Sequence, residues 1–279
     1  MINVQTVLAQ IATDAEHGDI LFPTHCEIAL RVQKLLDDPN CSTDALSRLV
    51  SAEPILATRV LALSNAAAYN PSGRRIEDLK TALTRIGFAA LRAIAAAVII
   101  RQMQAMPPLP AHRTLAAQLW EHTAHVAALA RVLARRVTHQ NPDTAFYAGI
   151  VHECGIFYLI ARAANYPELL ESKLEILHED GEARIGRAVL AALDVPQSVQ
   201  GACETLWSGY LAMPPHTLGD TLLLADEISP VESPLDRLTG MSRGDMTAEI
   251  ELLIDDETLT DILAESAGEV SELCAALNA

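Results

Sequence analysis

The chain has 279 residues, half of them hydrophobic and only 4% aromatic, with a formal net charge of −16. That length can bury a substantial core as one large domain or two modest ones, and an Ala- and Leu-rich, aromatic-poor composition favours packed helices over sheets. The acidity disfavours direct binding to nucleic acid, because the doublets Arg74-Arg75 and Arg135-Arg136 are too short to make a basic patch.

The chain reads as helix after helix. Residues 1–20 form an N-terminal helix, and MINVQTVLAQIATDAEHG has neither the basic start nor the unbroken apolar block of a secretion signal, so a cytoplasmic location is expected. HCEIALRVQKLLDD places Ile28, Ala29, Val32, Leu35 and Leu36 at helical spacing and stops at Pro39. Ser42 opens a short helix with Asp44 in its first turn, and Pro54 suits the first turn of the next, EPILATRVLALSNAA. IEDLKTALTRIG makes a fourth helix with Gly87 as its stop, and AALRAIAAAVIIRQM a fifth, apolar nearly all round and therefore buried. The most apolar stretch, residues 86–100, contains Arg92 and is too short to cross a bilayer.

PPLPAH, with three prolines in four residues, marks a boundary inside the body of the chain. Beyond it come a long helix around LAAQLWEHTAHVAALARVLARRV, a second around DTAFYAGIVHECGIFYLIARAA, and two or three more up to residue 229. From Gly244 to Ala279 there are ten acidic residues and no Lys or Arg. Leu259, Ile262, Leu263, Val270, Leu273 and Leu277 nevertheless recur at helical spacing, so residues 231–279 are expected to form an acidic helical segment that docks on the preceding half. The five cysteines are scattered, without the paired spacing of a zinc or redox motif, and read as small buried hydrophobes. No alternating strand pattern appears, and the fold class is all-α.

Four residues of the second half stand out. His122, the neighbours His152 and Glu153, and Asp226 fall on three separate predicted helices. Imidazoles and carboxylates projecting inward from different helices of a bundle suit a divalent cation that polarises a phosphoryl oxygen and activates water. Each His taken singly is more often a hydrogen-bonded core or surface residue than a ligand.

The stretch from FPTHCEIALRVQKLLDDPN through SAEPILATRVLALSNAAAYN and RIGFAALRAIAAA, followed by LWEHTAHVAALARVLA and FYAGIVHECGIFYLI, resembles the HDOD domain family in the order and spacing of its motifs. The resemblance covers about residues 21–230, with an N-terminal helical half (21–106) and an HD-like half (111–230). It implies an all-helical fold related to the HD metal-dependent phosphohydrolases, whose ligands correspond to His122, His152, Glu153 and Asp226. The Asp of the family's His-Asp doublet is Glu153 here, the position before the short Gly-containing helix is Glu182 instead of His, and ACETLWSGY replaces a His-His pair.

On this resemblance the four residues form a vestigial metal site. No cofactor is expected beyond a weakly held divalent metal, and the partners are other signalling proteins, with no membrane or nucleic acid. The expected function is a non-catalytic output module of bacterial signal transduction. The rival is a metal-dependent phosphohydrolase acting on a nucleotide or phosphodiester. A third reading, a former active site that binds a nucleotide without cleaving it, has no glycine-rich phosphate loop to support it.

Overall fold

Capping residues mark where the first helices begin. In the computed structural model, which describes residues 4–17, 20, 22, 23, 26–106, 110–162, 182–209, 211, 212, 214–235 and 256–279, Ser42 accepts a hydrogen bond from Ala45 N and Glu53 from Ile55 N. These start α3 (Thr43–Ser51) and α4 (Pro54–Asn65), the latter with proline in its first turn, where the missing N–H has no intrahelical role. They follow α1 (Val4–Glu16) and α2 (Glu27–Leu36). Among the described residues there is no strand.

The fourth and fifth expected helices run on as one 27-residue element, α5 (Leu79–Ala105), capped by Asp78. Gly87 inside it adopts φ 77° and ψ 177°, a conformation that ends a helix turn and that a Cβ would strain, so the expected stop becomes a kink. The element is consequently longer than residues 86–100 suggested, and burial, not shortness, identifies it as a core helix. Ala93 through Ile100 are all at most 1% exposed. α5 packs against α2, α3 and α4 and also against the helices of the second half, so the two halves share one continuous apolar core.

The second half is built on α6 (Pro110–Arg136), which crosses α7 (Pro142–Val151) closely. Gly149 permits this contact, because a Cβ there would overlap the Ala127 backbone. The single helix expected over DTAFYAGIVHECGIFYLIARAA is in fact two, α7 and α8 (Cys154–Arg162), and His152-Glu153 form the turn between them. They are followed by α9 (Glu182–Ala192), α10 (Gln197–Ser208) and α11 (Leu218–Glu227), the last started by a reciprocal Thr217/Asp220 capping box.

The acidic segment forms α12 (Asp256–Asn278), which lies across α6 and α4, contacting both halves and not the HD-like half alone. Leu273 and Leu277 are fully buried, while the side chain of Leu259 lies outside the described residues. Part of the acidic face is matched by α6. Glu269 pairs with Arg131 and Arg135, and Glu265 with Arg136, so the Arg135-Arg136 doublet holds the chain's own acids. Arg131 is itself buried, stacks 4.4 Å from the Tyr69 ring and reaches Asp143 at 3.3 Å, joining both halves and α12 in one polar cluster.

Candidate metal centre

Breaking the helix at His152 turns two adjacent side chains in different directions. His152 takes the C-cap of α7 and donates from Nδ1 to Gly149 O at 2.7 Å, which leaves Nε2 as the nitrogen facing the neighbouring helices. His122, fully buried on α6, is oriented in the same manner, with Nδ1 donating to Val231 O at 2.6 Å and Nε2 2.9 Å from Asp226 Oδ1. Asp226 comes from the last turn of α11. The His152 Nε2 atom stands 3.8 Å from Asp226 Oδ1, and the two rings lie edge to face with centroids 5.7 Å apart.

His122, His152 and Asp226 thus each offer one ligand atom within 4.8 Å of the others. Two imidazoles whose second nitrogens are fixed by backbone carbonyls, plus one carboxylate, fit a single divalent ion. An ion held there would polarise a phosphoryl oxygen or a water.

Glu153, the fourth expected ligand, is not part of that group. Its Oε1 accepts from Ser233 Oγ at 3.1 Å and its Oε2 from Thr123 Oγ1 at 2.9 Å, and the carboxylate also stands 3.8 Å from His152 Nε2 and 4.0 Å from His122 Nε2. The extra methylene, which lengthens the side chain by roughly 1.5 Å, lets the carboxylate reach the Thr123 and Ser233 hydroxyls. From there Glu153 acts by charge. Burial opposes a protonated imidazole at His122, but the Glu153 carboxylate, the Asp226 hydrogen bond and charge, and the Val231 carbonyl outweigh it and raise the His122 pKa to about 9.

Thr123, Ser233 and the Val231 carbonyl are parts of the site that sequence reasoning missed. Thr123 had a visible signal, since it directly follows His122 in the sequence. Ser233 did not. It lies in ISPVESPLD, beyond the expected boundary at residue 230, and reaches Glu153 only because the segment after α11 folds back, with Ser229 bridging to Val231 N and O.

The segment ACETLWSGY, read above as standing where the family carries a His-His pair, places Cys203, Glu204 and Trp207 on α10. Cys203 is buried, and Glu204 forms a two-pronged ion pair with Arg187, whose guanidinium lies 5.7 Å from the centre of the Trp207 ring. The side chain of Glu182 falls outside the described residues.

Comparison with known proteins agrees with this architecture. The chain matches a solved structure from Shewanella amazonensis SB2B, provisionally named a metal-dependent phosphohydrolase, at 22% identity and a TM-score of 0.75 over 99% of this chain and 100% of that one. An HDOD domain protein of unknown function from Geobacter sulfurreducens aligns at 22% identity and a TM-score of 0.57, covering 99% of this chain and 98% of the other. A Marinobacter aquaeolei VT8 protein, provisionally named a signal transduction protein, aligns at 18% identity and a TM-score of 0.58 over 92% of this chain and 60% of that one. These likenesses show the fold alone, and no curated protein matches the chain. The HDOD domain profile matches residues 22–193, well over half of the sequence, and with the helical architecture around His122, His152 and Asp226 it establishes that the chain belongs to the HDOD domain family.

Proposed function

We propose that this protein is a non-catalytic regulatory module of cytoplasmic signal transduction, working through contacts with other signalling proteins, in which the HD-type site persists as a rigid polar centre able to hold one divalent ion weakly. The observation that carries this reading is the placement of Glu153. A carboxylate at the doublet position is hydrogen-bonded to Thr123 and Ser233, 3.8 Å from the nearer imidazole nitrogen, which supports a site drawing chiefly on His122, His152 and Asp226. Near Cys203, Glu204 pairs with Arg187, and the sequence ACETLWSGY offers no imidazole for a second ion. The name of the Marinobacter relative is consistent with a signalling role.

The rival reading takes its support from the same three donors and from the name of the Shewanella relative. The two separate on one experiment. Purified protein is assayed with bis(p-nitrophenyl) phosphate and with cyclic dinucleotides in the presence of Mn²⁺ or Mg²⁺, alongside His152→Ala. Turnover at the buffer rate in both proteins is expected. Metal-dependent turnover in the wild type that disappears in the variant would establish a phosphohydrolase instead.

A further inference from the structure

α12 runs antiparallel to α6, and its two halves are held by different forces. In the second half Leu273, Cys274, Ala276 and Leu277 are buried. Trp120 Nε1 donates to Asn278 Oδ1 at 2.9 Å, and Ala67 N donates to Glu272 Oε2 at 2.6 Å. Glu269, at the start of that half, is gripped by Arg135 at 2.6 Å and reached by the buried Arg131 at 3.7 Å. Residues 260–267 are docked more lightly. Only Ser266 is buried there, with Leu263 partly so, and the ion pair of this stretch is Glu265 with Arg136 at 2.8 Å, both side chains more than a third exposed.

Three features weaken the docking of that first half. An exposed ion pair contributes little and is screened by salt. The Ser266 hydroxyl, 2% exposed, has no hydrogen-bond partner among the described residues, which disfavours the docked state because water would satisfy it. Gly268 stands where the two halves meet. Its φ is not positive and a Cβ there would meet nothing within 4 Å, so neither turn geometry nor close packing calls for glycine, while in a helix interior glycine loosens the backbone. Segments with few buried contacts open locally while the rest of the fold stays intact.

We propose that the first half of α12 is a displaceable cover that lifts at Gly268 and competes with an acidic amphipathic helix of a partner protein for the end of α6 at Arg136. The chemistry of the partner is read from the cover itself. It sets Glu265 on the guanidinium and Leu263 towards the core, and from Gly244 to Ala279 the chain has ten acids and no Lys or Arg. When the cover lifts, Arg136 loses its ion pair and the surface beneath Leu263 meets water, so a helix with the same acid and apolar spacing restores both contacts. The identity of the competitor rests on the regulatory reading above, whereas the cover and its hinge do not, and the phosphodiester assay decides that reading separately.

The test follows hydrogen–deuterium exchange of the full chain at low and high NaCl, and titrates it with a fluorescein-labelled peptide of residues 256–270. Amides of residues 260–267 are expected to exchange at least tenfold faster than those of 271–278, and faster still at high salt. Gly268→Ala should slow their exchange and weaken peptide binding, since it stiffens the hinge. Gly268→Pro should free residues 260–267, keep 271–278 protected and bind the peptide at least tenfold more tightly than wild type, and adding Arg136→Gln should abolish that gain. Should Gly268→Pro fail to fold, the comparison of Gly268→Ala with wild type decides the matter. Equal protection of both halves, indifferent to salt and to Gly268→Ala, would overturn the cover. Released amides without peptide binding would overturn the competition, and so would concentration-dependent dimers of Gly268→Pro that Arg136→Gln dissociates, because the competitor would then be a second copy of this chain.

Discussion

Shortening Glu153 to Asp restores the family's doublet and tests the brace directly. In the wild type the carboxylate accepts from Ser233 Oγ at 3.1 Å and shares the Thr123 hydroxyl, whose single proton also faces Leu119 O at 2.9 Å. A hydrogen bond to a charged group contributes about 1.5–3 kcal/mol, and the shared Thr123 proton counts for less than a full bond. Pulling the carboxylate back by one methylene also leaves the buried Ser233 hydroxyl to find a new acceptor, while Thr123 keeps Leu119 O. We therefore expect Glu153→Asp to lose about 2–3 kcal/mol in metal-free urea unfolding. The same retraction moves the carboxylate towards His122, His152 and Asp226, so Mn²⁺ affinity, measured by calorimetry, should rise about tenfold or more as a fourth ligand joins. Glu153 and Asp carry the same charge, which makes the sign of both changes diagnostic. A variant as stable as wild type that binds Mn²⁺ more weakly would mean that Glu153 is itself a ligand, and the reasoning would fail.

Three further outcomes follow from the same structure. The rise of the His122 pKa from 6.5 to about 9 corresponds to about 3 kcal/mol at 1.36 kcal/mol per pH unit. In EDTA that stabilisation should be fully present below pH 6.5 and decline as pH climbs through about 9, while His122→Asn flattens this part of the stability–pH profile. Divalent-ion affinity should move the opposite way and strengthen over the same interval, since the ion competes with the proton on Nε2. Arg131→Met breaks contacts to Asp143, Glu269 and Tyr69 at once. Because both acids keep some exposure, we expect a loss of about 3 kcal/mol, roughly 6–12 °C in Tm, with a double-mutant cycle to Glu269→Gln showing coupling. Deleting residues 256–279 uncovers the surfaces of α4 and α6 beneath Leu273 and Leu277, each worth about 1.5–3 kcal/mol of burial, so the truncated protein should bind a hydrophobic dye or aggregate, and an unchanged monomer of equal Tm would show the docking to be dispensable.

The helices were legible because their signals are local. Ser42 and Pro54 act through backbone groups within three residues, and the burial of residues 93–100 follows from an apolar pattern that no solvent-facing helix carries. Gly87 shows where local reading stops, since a positive φ both ends a helix and kinks a continuous one, and only the packing of the flanking segments selects between them. His122, His152 and Asp226 could be nominated through the family resemblance, but their convergence depends on the close α6–α7 crossing at Gly149.

The diversion of Glu153 was beyond the sequence for a related reason. The identity of its side chain states its length, whereas its direction is set by a break between α7 and α8 and by a hydroxyl from Ser233, 80 residues away. Charge was the most misleading quantity of all. The sequence by itself determined an acidic, all-helical chain whose arginine doublets are too short to form a basic patch, and those facts stand. Only the tertiary structure decided that Arg135 and Arg136 face Glu269 and Glu265 of α12, more than a hundred residues away in sequence. The physical reason is that electrostatic energy depends on separation in space and on exclusion of water, and neither distance nor burial is a property of spacing along the chain.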